Sequence, residues 1–129
     1  MKIRPERGLL YVSADLGVGG RSCRFDRVLL DTGSAGSVFA ADPLLEIDVT
    51  PRADDVLRRI RGVGGSEFVY TRTIDRLAVG ELEVTDFFIE VGAMDYGFPL
   101  DGLLGVDFLR AVGAVIDLER LELRGAAPV

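Results

Sequence analysis

A carboxylate set in a tight turn is the first group in this chain equipped for chemistry. Asp31-Thr32-Gly33-Ser34 follows directly on the apolar run Val28-Leu29-Leu30. An acid, a small hydroxyl residue and a glycine suit a turn after a buried strand, one that holds the acid at the floor of a cleft with backbone N–H groups aimed at its oxygens. Other chemistries have little to work with. The chain contains no histidine, which removes Ser-His-Asp and Cys-His catalysis and leaves no imidazole for zinc. Its one cysteine, Cys23, has no partner for an intrachain disulfide and no base to activate it, so it reads as a half-buried small residue on a strand. No metal and no cofactor is expected. Downstream, Gly102-Leu103-Leu104-Gly105 sets two leucines between glycines, which suits a strand packed so closely on another segment that side chains would clash at its ends.

The elements that must position these residues read as one small β-rich domain. A length of 129 residues suits a single core and not two lobes, and 48% hydrophobic residues with 16 glycines favour many short strands and tight turns. Leu9 to Leu16 reads as a first strand and Ser22 to Leu30 as a second, joined by a hairpin turn at Gly17-Val18-Gly19-Gly20. That glycine cluster is no phosphate loop, since it lacks the third glycine of a dinucleotide fingerprint and the Lys-Ser or Lys-Thr of a P-loop. Ser37 to Ala40 reads as a short strand. A brief helix then starts with Asp42 as N-cap and Pro43 at its first position. Glu67 to Thr71 and Ile74 to Val79 read as strand, Gly80-Glu81 as a hairpin turn, and Leu82 to Val91 as a strand with Phe87-Phe88-Ile89 buried. Ala93 to Pro99 is a loop, Asp107 to Arg110 a helical turn capped by Asp107 and ended by Gly113. Val115 to Leu118 and Leu121 to Leu123 close the chain as a hairpin, with Asp117 facing solvent.

The Asp31 turn and the Gly102–Gly105 segment together resemble the active-site turn and the hydrophobic-hydrophobic-glycine segment of aspartic proteases. A single short copy of each points to the retropepsin-like branch. Ile60-Arg61-Gly62-Val63-Gly64-Gly65 resembles the glycine-rich flap tip of retroviral proteases, and Asp101 to Leu109 is similar to the end of the retropepsin-like domain in eukaryotic ubiquitin-shuttle proteins. The order of turn, flap, second glycine motif and closing strand spans residues 9 to 124. The resemblance implies a mostly β fold: a single-lobe retropepsin-like acid-protease β-barrel with a flap hairpin, one or two short helices, and a homodimeric assembly. For residues 51–60 the local pattern favours a helix capped by Thr50 with Asp54 and Asp55 in its first turn, whereas the resemblance makes Val56 to Arg61 the ascending arm of the flap. The strand is preferred.

By the same resemblance Asp31 is the catalytic acid, and one Asp-Thr-Gly per chain requires the second carboxylate to come from another copy. Thr32 would bond across the dimer axis, and the Gly33 N–H would steady the carboxylate. Ser34 would place its hydroxyl on Asp31, and Gly62, Val63, Gly64 and Gly65 would cover the cleft. Gly102, Leu103, Leu104 and Gly105 would support the turn. Val63, Phe39 and Leu104 suggest apolar preferences beside the scissile bond. The sequence departs from the retroviral pattern at Ala35-Gly36 and Val106, where an acid and an arginine would form an ion pair across the dimer. Asp101, beside the second glycine motif, is the rival carboxylate, with a turn or capping role as its simpler reading.

A formal charge of −6 argues against nucleic acid and anionic membrane surfaces as partners. No signal-type apolar stretch follows the first residues, so a cytoplasmic protein is expected. The leading function is that of an aspartic endopeptidase acting on a peptide or protein substrate. A catalytically idle retropepsin-like module for peptide binding or dimerisation is the alternative, and a β-barrel small-ligand protein would leave Asp31 and the flap without a purpose.

Overall fold

The computed structural model describes residues 1–62 and 65–126, with backbone alone for 60–62 and 65–67. The sheet starts before the first apolar run. Arg4–Glu6 forms β1 and pairs antiparallel with Leu9 to Tyr11, and Ile3 beside it is buried, so the ordered fold begins ahead of residue 9. Two ten-residue strands follow, β2 (Leu9–Val18) and β3 (Arg21–Leu30). Only Gly19 and Gly20 make the turn between them, at φ +59° and +79°, a left-handed pair that glycine adopts without a Cβ penalty.

β4 (Val38–Ala40) leads into α1 (Ala41–Leu45). This helix starts two residues earlier than the Asp-Pro signal suggests: Ala40 is its N-cap, without a side-chain bond, and Asp42 lies in the first turn. Residues 51–57 form no helix, and β5 (Arg58–Gly62) pairs antiparallel with the start of β6 (Gly65–Val79) as far as Gly62↔Gly65. Val63 and Gly64, the expected flap tip, lie outside the described residues. β7 (Leu82–Gly92), β8 (Gly102–Leu104), α2 (Val106–Ala111), β9 (Ala114–Asp117) and β10 (Glu122–Gly125) complete the chain.

The strands close into a barrel. In the order β2-β3-β8-β4-β7-β6 each pairs with the next, and β6 returns to β2 through Asp15↔Ala78, Leu16↔Leu77 and Gly17↔Arg76. Inward side chains fill it, among them Val12, Phe25, Phe39, Ile74, Leu77, Ile89 and Leu103. The Phe25 and Phe39 rings meet at 5.0 Å in a tilted pair. Each such side chain contributes about 2 kcal/mol by leaving water. Of the expected Phe87-Phe88-Ile89 block only Ile89 is fully buried. Phe87 is half-buried edge-on to Phe108, and Phe88 points outward, because alternate residues of a strand face opposite sides. Asp117 is less solvated than expected: it accepts bonds from the Arg120 N–H and from Arg124, which together hold its carboxyl below the usual range.

The irregular stretch before β5 is pinned to the barrel wall by one ion pair. Arg72 on β6 meets Asp55 through two nitrogens, at 3.1 and 2.9 Å, and bonds the Thr50 carbonyl at 2.9 Å, with both side chains largely buried. The Arg72 guanidinium and the Arg52 N–H depress the Asp55 pKa. A depressed carboxylate stabilises the fold fully above its unfolded value, and that contribution is lost as the pH falls through the folded value. The melting-temperature difference between the parent protein and Asp55→Asn should therefore be constant near neutrality and close once the pH drops below about 4. A gap that widens in acid would contradict the clamp.

Candidate active site

Two apolar strands running side by side in the same direction bring the Asp31 turn to the second glycine motif. β3 and β8 pair as Val28↔Gly102, Leu29↔Leu103 and Leu30↔Leu104. The Asp31 N–H then donates to the Leu104 carbonyl at 3.0 Å, so the turn starts tied to the end of β8. A bond from the Ser34 N–H to the Asp31 carbonyl, 3.1 Å, closes the turn over Thr32 and Gly33. Within it the Gly33 N–H donates to Asp31 Oδ1 at 3.0 Å. Asp31 is half-buried, and Thr32 and Gly33 are exposed. The Ser34 hydroxyl turns away from the carboxylate and donates to the Gly36 carbonyl at 2.8 Å, unlike the bond to Asp31 that the resemblance implies.

Backbone contact, not side-chain packing, joins the two motifs. A Cβ on Gly105 would lie 2.5 Å from the Gly36 carbonyl oxygen and 2.7 Å from that of Ser34. One on Gly102 would lie 2.9 Å from the Phe39 ring and 3.0 Å from the Val38 carbonyl oxygen. The Val106 N–H completes the seam on the Ser34 carbonyl at 2.8 Å.

A polar pair, buried Ser37 and half-buried Asp107, locks the far side of the turn. Ser37, with no exposed surface, donates its hydroxyl to Asp107 Oδ1 at 2.8 Å and accepts the Gly105 N–H at 3.0 Å, and its own N–H meets Asp107 Oδ2 at 3.1 Å. Asp107 is therefore not the N-cap of α2; that position is Gly105, which has no side chain to cap with. The sequence signalled neither the role of Ser37 nor its partner, since Ser37 reads only as the first residue of a short strand and an acid before Phe108 reads as a cap.

Asp101 is accounted for by backbone. Its Oδ2 accepts the Arg27 N–H at 3.1 Å, its N–H donates to the Arg27 carbonyl at 2.9 Å, and its carbonyl accepts the Ala40 N–H at 2.8 Å. It staples the start of the β3–β8 pairing. Phe39 and Leu104 have no exposed surface and belong to the core, so neither lines a cleft as their apolar character suggests. Instead Val38, Arg58 and Glu90 border the recess beside residues 33–36, and nothing in the local sequence around Arg58 or Glu90 marked them. Among the described residues no group of three or more His, Cys, Asp or Glu could hold a metal ion.

Residues 14–108 match the aspartyl protease family. The chain belongs to that family. A crystal structure of a retropepsin-like aspartic protease from Rickettsia conorii shares the fold of this family member, with a TM-score of 0.64 and 20% identity over 96% of this chain and 97% of that one. No curated protein matches the sequence. The fold is thus the retropepsin-like β-barrel with two short helices.

The seam gives a direct test. Gly105→Ala forces a methyl into two carbonyl oxygens and should lower stability by about 3 kcal/mol or more, read from urea unfolding midpoints. An unchanged midpoint would show that the contact relaxes without cost.

Proposed function

We propose that this protein is an aspartic endopeptidase that works as a two-fold homodimer, with one Asp31 from each subunit. The observation that carries the reading is the Asp31 turn itself: a carboxylate steadied by the Gly33 N–H and fixed to the second glycine motif by backbone bonds. Peptide hydrolysis without a metal or a covalent intermediate needs a base for water and an acid for the leaving amine. Two carboxyls about 3 Å apart cannot both ionise, so the pair holds one proton and supplies both functions. The ionised member takes a proton as the water oxygen bonds to the peptide carbon. The protonated member gives its proton to the carbonyl oxygen. Collapse of the tetrahedral species breaks the C–N bond, and the nitrogen leaves with a proton from the dyad. Over this cleft the β5–β6 hairpin would act as the flap.

The dimer reading is supported by the face that adjoins the turn. Thr32, Val106, Leu109 and Ile116 surround an open recess of about 460 Å³. All four residues of β9 are only half-buried, and among the described residues β9 pairs with β10 alone, which leaves its other edge free. A second copy on this face would set Thr32 near its counterpart and cover that edge. At Val106, where retroviral enzymes are expected to carry an arginine, apolar surface would take over from the missing ion pair.

Activity should track the dimer in sedimentation or light scattering across a dilution series, and Val106→Asp should shift the dimer midpoint to higher concentration by at least about tenfold. A fully active monomer would end the scheme. The choice of carboxylate is tested separately. Asp31→Asn should lower peptide cleavage by about a thousandfold or more with the fold intact, because no group is left to deprotonate water. Asp101→Asn should cost about 1 kcal/mol of stability with a modest loss of turnover. Cleavage abolished by Asp101→Asn and retained in Asp31→Asn would mean that the wrong acid has been named.

A further inference from the structure

We propose that the recess flanking the active-site turn is a subsite for a basic substrate side chain, with Glu90 as its recognition element and Arg58 as an occupant lent by the protein's own chain. The proposal rests on the protease reading and adds a substrate class to it. Glu90 interrupts the apolar run Phe87-Phe88-Ile89-Glu90-Val91, where β7 pairs with β4 at Val38↔Glu90 and the Glu90 N–H donates to the Ser37 carbonyl at 2.9 Å. Its side chain is only 10% exposed. One oxygen, Oε1, accepts Arg58 Nη2 at 2.6 Å; the other, Oε2, is enclosed and has no hydrogen-bond partner among the described residues. A buried carboxylate oxygen without a donor is costly, so an ordinary core position would not keep one.

The walls are made to admit this carboxylate. A Cβ on Gly36 would lie 2.7 Å from Glu90 Oε1, so the charge fits only because a glycine stands opposite. The recess holds about 250 Å³ and begins two residues past Asp31, at Gly33 and Ser34, with Val38 beyond. A side chain seated there belongs to a peptide residue close to the scissile bond. Arg58 is a poor permanent partner, since its side chain is 61% exposed and engages Glu90 through one nitrogen. A pair with a solvated member is held weakly. A guanidinium or ammonium from a bound peptide could displace Arg58 and, inside a covered cleft, serve both oxygens. An acidic side chain would face the enclosed carboxylate. Exposed Arg58 donors could attract such a side chain only from outside the recess.

The test begins with digestion of a randomised peptide library by the full chain, which should show enrichment of Lys and Arg at one position near the cleaved bond. Paired peptides with Lys or norleucine there then give a ratio of kcat/KM. Glu90→Gln should lower that ratio by about tenfold or more, the worth of a charge-assisted bond. Arg58→Ala should raise it by removing the competing guanidinium, and it tests the idea even if Glu90→Gln fails to fold. A ratio unmoved by Glu90→Gln, a ratio that falls in Arg58→Ala, or enrichment of Asp and Glu would overturn the subsite. The same peptides carrying a non-hydrolysable reduced amide separate this proposal from the protease reading. Lys-selective, Glu90-dependent binding without any cleavage sinks the protease alone, and cleavage with no dependence on Glu90 sinks the subsite alone. Neither binding nor cleavage sinks both.

Discussion

The structure depends on how closely the backbone of one turn approaches that of one strand. Gly105 lies against the carbonyl oxygens of Ser34 and Gly36 at a separation that no side chain permits. Because the contact is backbone to backbone, its geometry is set by planar peptide units and not by rotamers, and it fixes the turn more tightly than side-chain packing could. The Asp31 N–H on Leu104 and the Val106 N–H on Ser34 then follow from that proximity, as does the place of Ser37 between the turn and Asp107. The barrel serves as the frame that keeps β3 and β8 parallel long enough for this seam to form.

A second level of organisation is polar and partly buried. The hydroxyl of Ser37 both donates and accepts, Asp107 receives the N–H and the hydroxyl of one residue, and Asp101 meets both backbone groups of Arg27. These carboxylates hold the site in shape without taking part in it. The same residue type stands at Asp31, the proposed catalytic acid, whose side chain meets only the Gly33 N–H among the described residues. All three acids are half-buried, and the number of backbone and hydroxyl donors each one meets separates them.

Much of the fold was legible because local signals agreed with one another. The Gly19-Gly20 turn and the Gly80 hairpin each carried their own turn chemistry, and apolar runs marked the strands that flank them. The glycine motifs were legible as close contacts because two leucines between glycines leave few other uses. What escaped was set by tertiary partners. Asp42 and Asp107 look like caps in sequence, yet each helix starts ahead of its aspartate, with Ala40 and Gly105 as N-caps, and Asp107 is bonded by Ser37 from across the turn. Phe39 and Leu104 look like cleft residues beside an active-site turn, but the barrel interior claims them. Glu90 and Arg58 are 32 residues apart and meet only because β5 and β7 flank β6. No window of sequence could have paired them.

The parallel pairing of β3 with β8 also bears on when the turn can exist. Arg27 and Asp101 are 74 residues apart, and Ser37 and Asp107 are 70 apart, so closing these contacts needs nearly the whole chain. Long loops must lose their freedom before such contacts form, which makes them slow to appear during folding. A ribosome that has released only the first half of this protein has released Asp31 but not the strand that shapes its turn. The growing polypeptide therefore carries its acid in an unformed state until β8 has emerged, a delay written into topology.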